Sequence, residues 1–101
     1  MAPPVTRVAS DEKLPATADV VVIGGGIAGT AAAYELAKKG HSVALLEKGH
    51  IAGEQSSRNW GFCRQQHRDL RELPLVQRSI EMWNGLNAEL GAETGFRRTG
   101  L

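Results

Sequence analysis

The chain has 101 residues, which is enough for one small domain with a modest core. Its 12 Lys and Arg residues nearly balance its 11 Asp and Glu residues, and the formal net charge of +1 argues against binding to nucleic acid or an anionic membrane through bulk charge. The single cysteine, Cys63, excludes an internal disulfide scaffold, and no apolar run approaches the roughly 20 residues that span a bilayer.

Residues 1–18 combine prolines with mixed charge and show no sustained hydrophobic periodicity, which predicts a mobile leader. The segment lacks the apolar stretch of a secretory signal. Arg7 is soon followed by the acidic pair Asp11 and Glu12, whereas a transit peptide is rich in Arg and poor in acids. We therefore expect a cytoplasmic protein.

Residues 19–48 predict a β-strand, a helix and a second β-strand. The three valines and one isoleucine at the end of 19–23 are typical of a parallel strand covered on both faces. Small apolar residues in 27–39 predict a helix with a close-packing face, which Gly40 ends, and 42–46 predicts the second strand. A strand, a helix and a strand within about 30 residues form a βαβ unit with two adjacent parallel strands.

A glycine-rich turn joins the first strand to the helix, and Gly24, Gly26 and Gly29 have the G-x-G-x-x-G spacing of a dinucleotide-binding fingerprint. The first glycine permits the tight turn, the second lets the backbone approach a pyrophosphate, and the third lets the helix pack on the strand. The N–H groups of Ile27 and Ala28 begin the helix at its positive end and are expected to face the phosphates. The alternative is an ordinary buried strand followed by a flexible loop.

Glu47 ends the second strand, where the fingerprint places an acid that accepts hydrogen bonds from ribose hydroxyls. A carboxylate there would repel a 2′-phosphate, so NADP is disfavoured. Without the upstream glycines, a lone glutamate would be read as a solvated surface residue. Lys48 is either a second contact near the adenosine or a solvated lysine.

Residues 49–72 are polar and have no clean helical or strand period, which predicts a long ligand-facing loop. Its Gln65, Gln66 and His67 have no visible catalytic partner, so no catalytic residue is assigned. The histidines and the only cysteine do not have the spacing of zinc ligands, so no metal site is predicted.

Residues 73–91 predict a second helix, with Pro74 in its first turn and Gly91 as its C-terminal cap. Gly85 costs this helix about 1 kcal/mol relative to alanine, so the helix depends on tertiary packing. Residues 96–101 are expected to begin a further strand. The helical spacing is carried by Leu75, Val76, Ile80, Trp83, Leu86 and Leu90.

The fold class is therefore α/β, with an N-terminal βαβ unit of a Rossmann-like domain. A doubly wound sheet needs several βαβ units of about 30 residues each, and the chain contains one complete unit. We accordingly expect the fold to be incomplete and the chain to be the N-terminal portion of a larger protein.

The βαβ unit, together with the loop Ser56-Ser57-Arg58-Asn59-Trp60-Gly61, resembles the N-terminus of the D-amino-acid oxidase-like family of FAD-dependent oxidoreductases. This family includes glycine and sarcosine oxidases and D-amino-acid dehydrogenases. The similarity runs from about Asp19 to the end of the chain and weakens after Arg68. The resemblance implies FAD as the cofactor and oxidation of the C–N bond of an amino acid or secondary amine by hydride transfer to the flavin.

The resemblance also assigns the site residues. The glycine turn and Glu47 would bind the ADP half of FAD, so 19–101 would be the N-terminal part of the FAD-binding domain. The loop 49–72 would face the flavin. Its hydroxyl, amide and guanidinium groups can satisfy ribityl and phosphate oxygens, whereas local turn contacts are the alternative for each residue. The implied contacts in this loop are Ser56, Ser57, Arg58, Asn59 and Gly61.

Two alternatives remain open from the residues. The first βαβ unit also serves NAD, so the chain could be the NAD-binding module of a dehydrogenase or a regulatory protein. It could instead be a nucleotide-binding half that is inactive by itself. The expected partner is a small-molecule amino acid or amine, with no nucleic acid and no membrane span. The sequence specifies neither the amine, nor the electron acceptor, nor the oligomeric state.

Overall fold

The computed structural model describes residues 6–66 and 68–99. His67, the first five residues of the expected leader and the last two of the expected strand 96–101 lie outside the described residues. The chain divides into two compact units, Met1–Trp60 and Gly61–Leu101. The elements are β1 (Val20–Ile23), α1 (Ile27–Lys38), β2 (Val43–Leu46), a short 3₁₀ turn (Gln55–Ser57) and α2 (Leu73–Leu90).

The first unit contains the predicted βαβ arrangement. β1 and β2 are parallel, in a register that pairs Val20 with Val43 and Ile23 with Leu46. α1 packs against both strands. The α/β fold class predicted from the alternation of β-branched and helical patterns is therefore confirmed.

The N-terminal ends of the two strands are joined by a reciprocal pair of hydrogen bonds. The backbone N–H of Asp19 donates to Ser42 Oγ at 2.8 Å, and the backbone N–H of Ser42 donates to Asp19 Oδ2 at 2.8 Å. The backbone bond from Ser42 is the main reason that the pKa of Asp19 lies below its ordinary value. This pair fixes the register at the end of the sheet opposite the glycine turn.

Burial along β1 alternates because only one face of the strand is covered. Val20 and Val22 are half-buried, whereas Val21 is 54% exposed and Ile23 is 85% exposed. Within the first unit α1 covers one face of the strand, so the prediction of a strand covered on both faces is wrong for the described residues. The β-branched run predicted the strand correctly but not its surroundings.

The second unit is built around α2. This helix ends at Leu90, and Gly91 follows with φ of +63°, a left-handed conformation that favours glycine. The ring of Trp83 stacks on Phe96 with centroids 5.6 Å apart, so the segment after the helix folds back onto its apolar side. The described part of the expected strand, 96–99, is irregular rather than extended in a sheet.

Asn87 holds the turn that makes this reversal. Its Oδ1 accepts hydrogen bonds from the backbone N–H of Thr94 at 2.9 Å and from the hydroxyl of the same residue at 2.6 Å. Its Nδ2 donates to Glu93 Oε1 at 3.2 Å. One side chain near the end of α2 therefore fixes the turn that carries Phe96 back to the helix.

Candidate nucleotide-binding site

The glycine turn begins directly after β1 and is tied to the sheet. Gly24 has φ of +105°, a conformation that L side chains rarely adopt. Its backbone N–H donates to the Leu46 carbonyl oxygen at 2.8 Å, which continues the ladder between the strands. The first residue of the turn is therefore hydrogen-bonded to the end of β2, and only glycine takes this position without strain.

The third glycine allows α1 to approach this turn closely. A Cβ atom at Gly29 would collide with the Gly24 carbonyl oxygen and would lie 3.4 Å from Val22 Cγ1. The colliding group is backbone, so it cannot swing aside. The packing role predicted for this glycine from its spacing is present in the structure.

The N-terminus of α1 meets a side chain from a distant loop. Gly26 precedes the helix in an extended conformation and provides no side-chain cap. The backbone N–H of Ile27 instead donates to Ser56 Oγ at 2.8 Å. A Cβ atom at Gly26 would lie 2.8 Å from the same oxygen, so the bare glycine makes room for this hydroxyl. Ala28 follows in the first turn of the helix, exposed to solvent.

The carboxylate of Glu47 lies against the same turn. Its Oε1 accepts the backbone N–H of Gly25 at 3.1 Å, and its Oε2 accepts the backbone N–H of Gly49 at 2.5 Å. The bond from Gly49 is the largest cause that holds the pKa of Glu47 below its ordinary value, followed by the bond from Gly25. Electrostatic interactions with Lys48 and His50 lower the pKa of Glu47 further. Glu47 is thus an ionised acceptor at the end of β2.

The structure assigns different surroundings to the other predicted loop residues. Ser57 Oγ donates to the Glu54 carbonyl at 3.0 Å, and Asn59 Nδ2 donates to the Ser56 carbonyl at 2.7 Å. The backbone N–H of Arg58 donates to the Gln55 carbonyl at 3.0 Å. These are local turn contacts of the kind that the sequence left as an alternative. The Ser56 side chain, in contrast, reaches the glycine turn, where its Oγ accepts the Ile27 N–H.

Two further predicted residues are Lys48 and Gly61. Lys48 is exposed beside Glu47, and its positive charge helps to lower the pKa of that carboxyl. Gly61 has φ of +66° and belongs to the second unit. Its conformation favours glycine on backbone grounds alone.

Gly25 is the site residue that the sequence analysis missed. It is buried, and both of its backbone polar groups are used: its N–H donates to Glu47, and its carbonyl accepts the N–H of Ala52 at 2.8 Å. A Cβ atom there would lie 2.6 Å from Ile51 Cδ1. The fingerprint accepts any residue at this position. A glycine there was therefore the one sequence signal that another group packs against the turn.

The second unit contains a groove of about 460 Å³. Residues 61–66 and 95–99 form its walls together with Ile80, so it includes Cys63, Gln65 and Gln66. Cys63 is an exposed free thiol. Among residues 6–66 and 68–99, no group of three His, Cys, Asp or Glu residues is placed to hold a metal ion.

Comparison with known proteins identifies a family and several relatives. The model of the family described as "DAO: FAD dependent oxidoreductase" matches residues 19–101. The chain is 36% identical over 85 residues to the sarcosine oxidase subunit beta of an Arthrobacter species, covering 82% of this chain and 21% of that protein. It is 38% identical over 88 residues to the mouse mitochondrial pyruvate dehydrogenase phosphatase regulatory subunit, covering 86% of this chain and 10% of that protein.

Solved structures show the same similarity in three dimensions. The L-amino acid deaminase from Proteus myxofaciens, solved in complex with anthranilate, superimposes with a TM-score of 0.89 and is 40% identical. The match covers 96% of this chain and 22% of that one. The chain therefore spans about a tenth to a fifth of the length of these relatives.

Proposed function

Because the chain belongs to the DAO family of FAD-dependent oxidoreductases, we propose that it forms the ADP-binding part of an enzyme that oxidises the C–N bond of an amino acid or secondary amine. When bound, FAD supplies the hydride acceptor for this reaction. The residues of this chain bind and orient the nucleotide half of the cofactor. The relatives named as sarcosine oxidase and L-amino acid deaminase support the proposed substrate class.

The observation that carries this proposal is the convergence of three groups at the start of α1. Gly24 makes the tight turn that leads into α1, and the space where its Cβ atom would stand is open. Ser56 accepts the N–H of Ile27, and a hydroxyl can also donate to a phosphate oxygen. The positive end of the helix favours the same anion.

Glu47 fits the ribose end of the nucleotide. A carboxylate offers about four lone-pair positions, and the two backbone bonds from Gly25 and Gly49 leave acceptor capacity for hydroxyl groups. Its lowered pKa keeps it ionised at neutral pH, which strengthens hydrogen bonds that it accepts. The same charge opposes a 2′-phosphate. The donor and acceptor set on the chain therefore suits the ADP half of FAD.

The remaining predicted contacts are part of the proposal. Ala28 would direct its N–H group at the pyrophosphate. Ile27 would contribute through Ser56, because its N–H holds the Ser56 hydroxyl at the start of α1. Lys48 would lie on the adenosine side. The polar loop would continue toward the flavin, and the family match across 19–101 supports that direction. The loop residues proposed for this role are Ser56, Ser57, Arg58, Asn59 and Gly61.

The proposal is tested on the complete protein. We expect the purified protein to show visible flavin absorbance and to release FAD on denaturation. Under anaerobic conditions, a panel of amino acids and secondary amines should bleach this absorbance, and the imine product should hydrolyse to a carbonyl compound and ammonia or an amine. A protein that binds no FAD after reconstitution would overturn the proposal.

A flavin-binding regulatory role is the second candidate, and the similarity to the mouse regulatory subunit favours it. Such a protein would bind FAD, but no amine in the panel would reduce the bound flavin.

Among residues 6–66 and 68–99, neither helix has the length and apolar character that crossing a bilayer requires. The family match favours FAD over the NAD-binding alternative.

A further inference from the structure

We propose that Gly25 is a positioning residue for FAD binding, because its missing side chain and its backbone N–H determine where the Glu47 carboxylate lies. The inference rests on the proposed function, since it assigns Glu47 to the ribose of FAD. It extends that function to a residue that the dinucleotide fingerprint leaves unspecified.

The two backbone polar groups of Gly25 form hydrogen bonds with the segment that follows β2. Its N–H donates to Glu47 Oε1 at 3.1 Å, and its carbonyl oxygen accepts the N–H of Ala52 at 2.8 Å. Ala52 makes this bond from a left-handed conformation with φ of +59°, which is uncommon for a residue with a side chain. The N–H and the carbonyl of Gly25 therefore both hold the segment after β2 against the glycine turn.

The space above Gly25 is filled by two side chains. A Cβ atom there would lie 2.6 Å from Ile51 Cδ1, 2.9 Å from Glu47 Cγ and 3.2 Å from Glu47 Cβ. Each contact is shorter than an ordinary van der Waals approach, so a side chain at position 25 would displace something. The two neighbours differ in how freely they can move.

Ile51 can move aside without disturbing the site, whereas any movement of Glu47 shifts its carboxylate. The Cδ1 atom of Ile51 is the end of a flexible side chain, and a change of rotamer removes it. The Cγ atom of Glu47 lies between a backbone that directly follows β2 and a carboxylate whose two oxygens are held by the N–H groups of Gly25 and Gly49. A methyl group at position 25 therefore moves the carboxylate, and hydrogen bonds from ribose hydroxyls weaken steeply with distance and angle.

The test uses the complete protein and titrates its apoprotein with FAD, following flavin fluorescence. We expect Gly25→Ala to weaken FAD binding by about tenfold, the loss that one charge-assisted hydrogen bond produces. Gly85→Ala is the matched control, because a Cβ atom there meets nothing within 4 Å. It should leave the FAD affinity unchanged. Unchanged FAD affinity in Gly25→Ala would overturn the inference, whereas a wild-type protein that binds no FAD would overturn the proposed function.

Two double variants separate positioning from general damage. If Gly25 acts through Glu47, then Gly25→Ala added to Glu47→Gln should weaken FAD binding by clearly less than the product of the two single effects. Independent, multiplicative effects would contradict the inference. Ile51→Val removes the Cδ1 atom but leaves Glu47 in place, so it should not restore the affinity of Gly25→Ala. Full restoration would assign the obstruction to Ile51 and overturn the role of Glu47.

A measurement on the unmodified protein avoids the risk that Gly25→Ala fails to fold. With glycine labelled by ¹⁵N, the amide resonances of Gly25 and Gly49 should shift together as Glu47 is protonated in acid, because both N–H groups donate to that carboxylate. Glu47→Gln should abolish this shared titration. A Gly25 amide that does not respond to Glu47 would contradict the inference.

Discussion

The side-chain oxygen of Ser56 lies 2.8 Å from the backbone nitrogen of Ile27 and accepts the N–H of the first residue of α1. The helix has no cap from its own preceding residue, Gly26, so a hydroxyl from the loop after β2 supplies one. This contact joins the helix end that favours phosphate to the loop proposed to lie along the cofactor.

Replacing Ser56 with alanine should therefore have two effects. The N–H of Ile27 loses its acceptor, which should lower the free energy of unfolding by about 1 kcal/mol, as for a lost helix cap. FAD binding should weaken by about tenfold, because the hydroxyl would no longer donate to the phosphate. Thermal unfolding of the apoprotein and fluorescence titration with FAD measure the two effects separately.

Ser79→Ala provides the matched control for this change. Ser79 is in α2 and donates its hydroxyl to the Leu75 carbonyl at 3.0 Å, remote from the glycine turn in sequence. This variant should keep the wild-type FAD affinity. Equal FAD affinity in Ser56→Ala and Ser79→Ala would show that Ser56 does not contact the cofactor.

The affinity for FAD should depend on pH through Glu47. Its pKa in the folded chain is lowered by the backbone bonds from Gly49 and Gly25. Because the folded-state pKa is lowered, the ionised Glu47 carboxylate stabilises the folded, ligand-binding form at pH values above the ordinary glutamate pKa of about 4.3. This contribution is lost as the pH falls through the lower folded-state pKa. FAD affinity should hold through mildly acidic pH and fall only below this range.

Glu47→Gln should weaken FAD binding at neutral pH and flatten its dependence on acid, as titrations at a series of pH values would measure. Glu93 supplies the control, since hydrogen bonds from Arg97 and Gly95 also lower its pKa but it belongs to the second unit. Glu93→Gln should keep the acid dependence of FAD binding. An acid dependence that persists in Glu47→Gln would assign it to another group.

Asn87→Ala should destabilise the turn that follows α2. The substitution removes the oxygen that accepts both hydrogen bonds from Thr94, and each such bond contributes about 1 kcal/mol. Phe96 would then lose its fixed position against Trp83, which should change the tryptophan emission. Denaturant unfolding measures the stability change. Unfolding and emission identical to wild type would mean that the turn does not depend on Asn87.

The βαβ unit was predictable because its signals are local. A run of β-branched residues, a glycine at the tight turn and small residues along a helix each describe a few neighbouring positions. Gly24 and Gly29 carry the positive φ and the close helix approach that their spacing predicted. Glu47 was placed at the end of β2 for the same reason.

The contacts of Gly25 and Ser56 were not predictable, because their partners lie far along the chain. Nothing in the sequence marks Ala52 as left-handed, yet that conformation brings its N–H to Gly25. The exposure of Val21 and Ile23 was not predicted. A hydrophobic run shows that a strand can be buried, but it does not show which element covers each face.

The strongest contrast in stability should come from one substitution made at two glycines. Gly29→Ala places a methyl group against the Gly24 carbonyl, which is backbone and cannot move aside, so α1 must shift and the chain should lose about 1–3 kcal/mol. Gly85→Ala adds the same methyl to open space inside α2 and should gain about 0.5–1 kcal/mol, because alanine is the better helix former. Chemical denaturation of the complete protein compares the two variants. Equal changes would mean that α1 does not depend on its close approach to the turn.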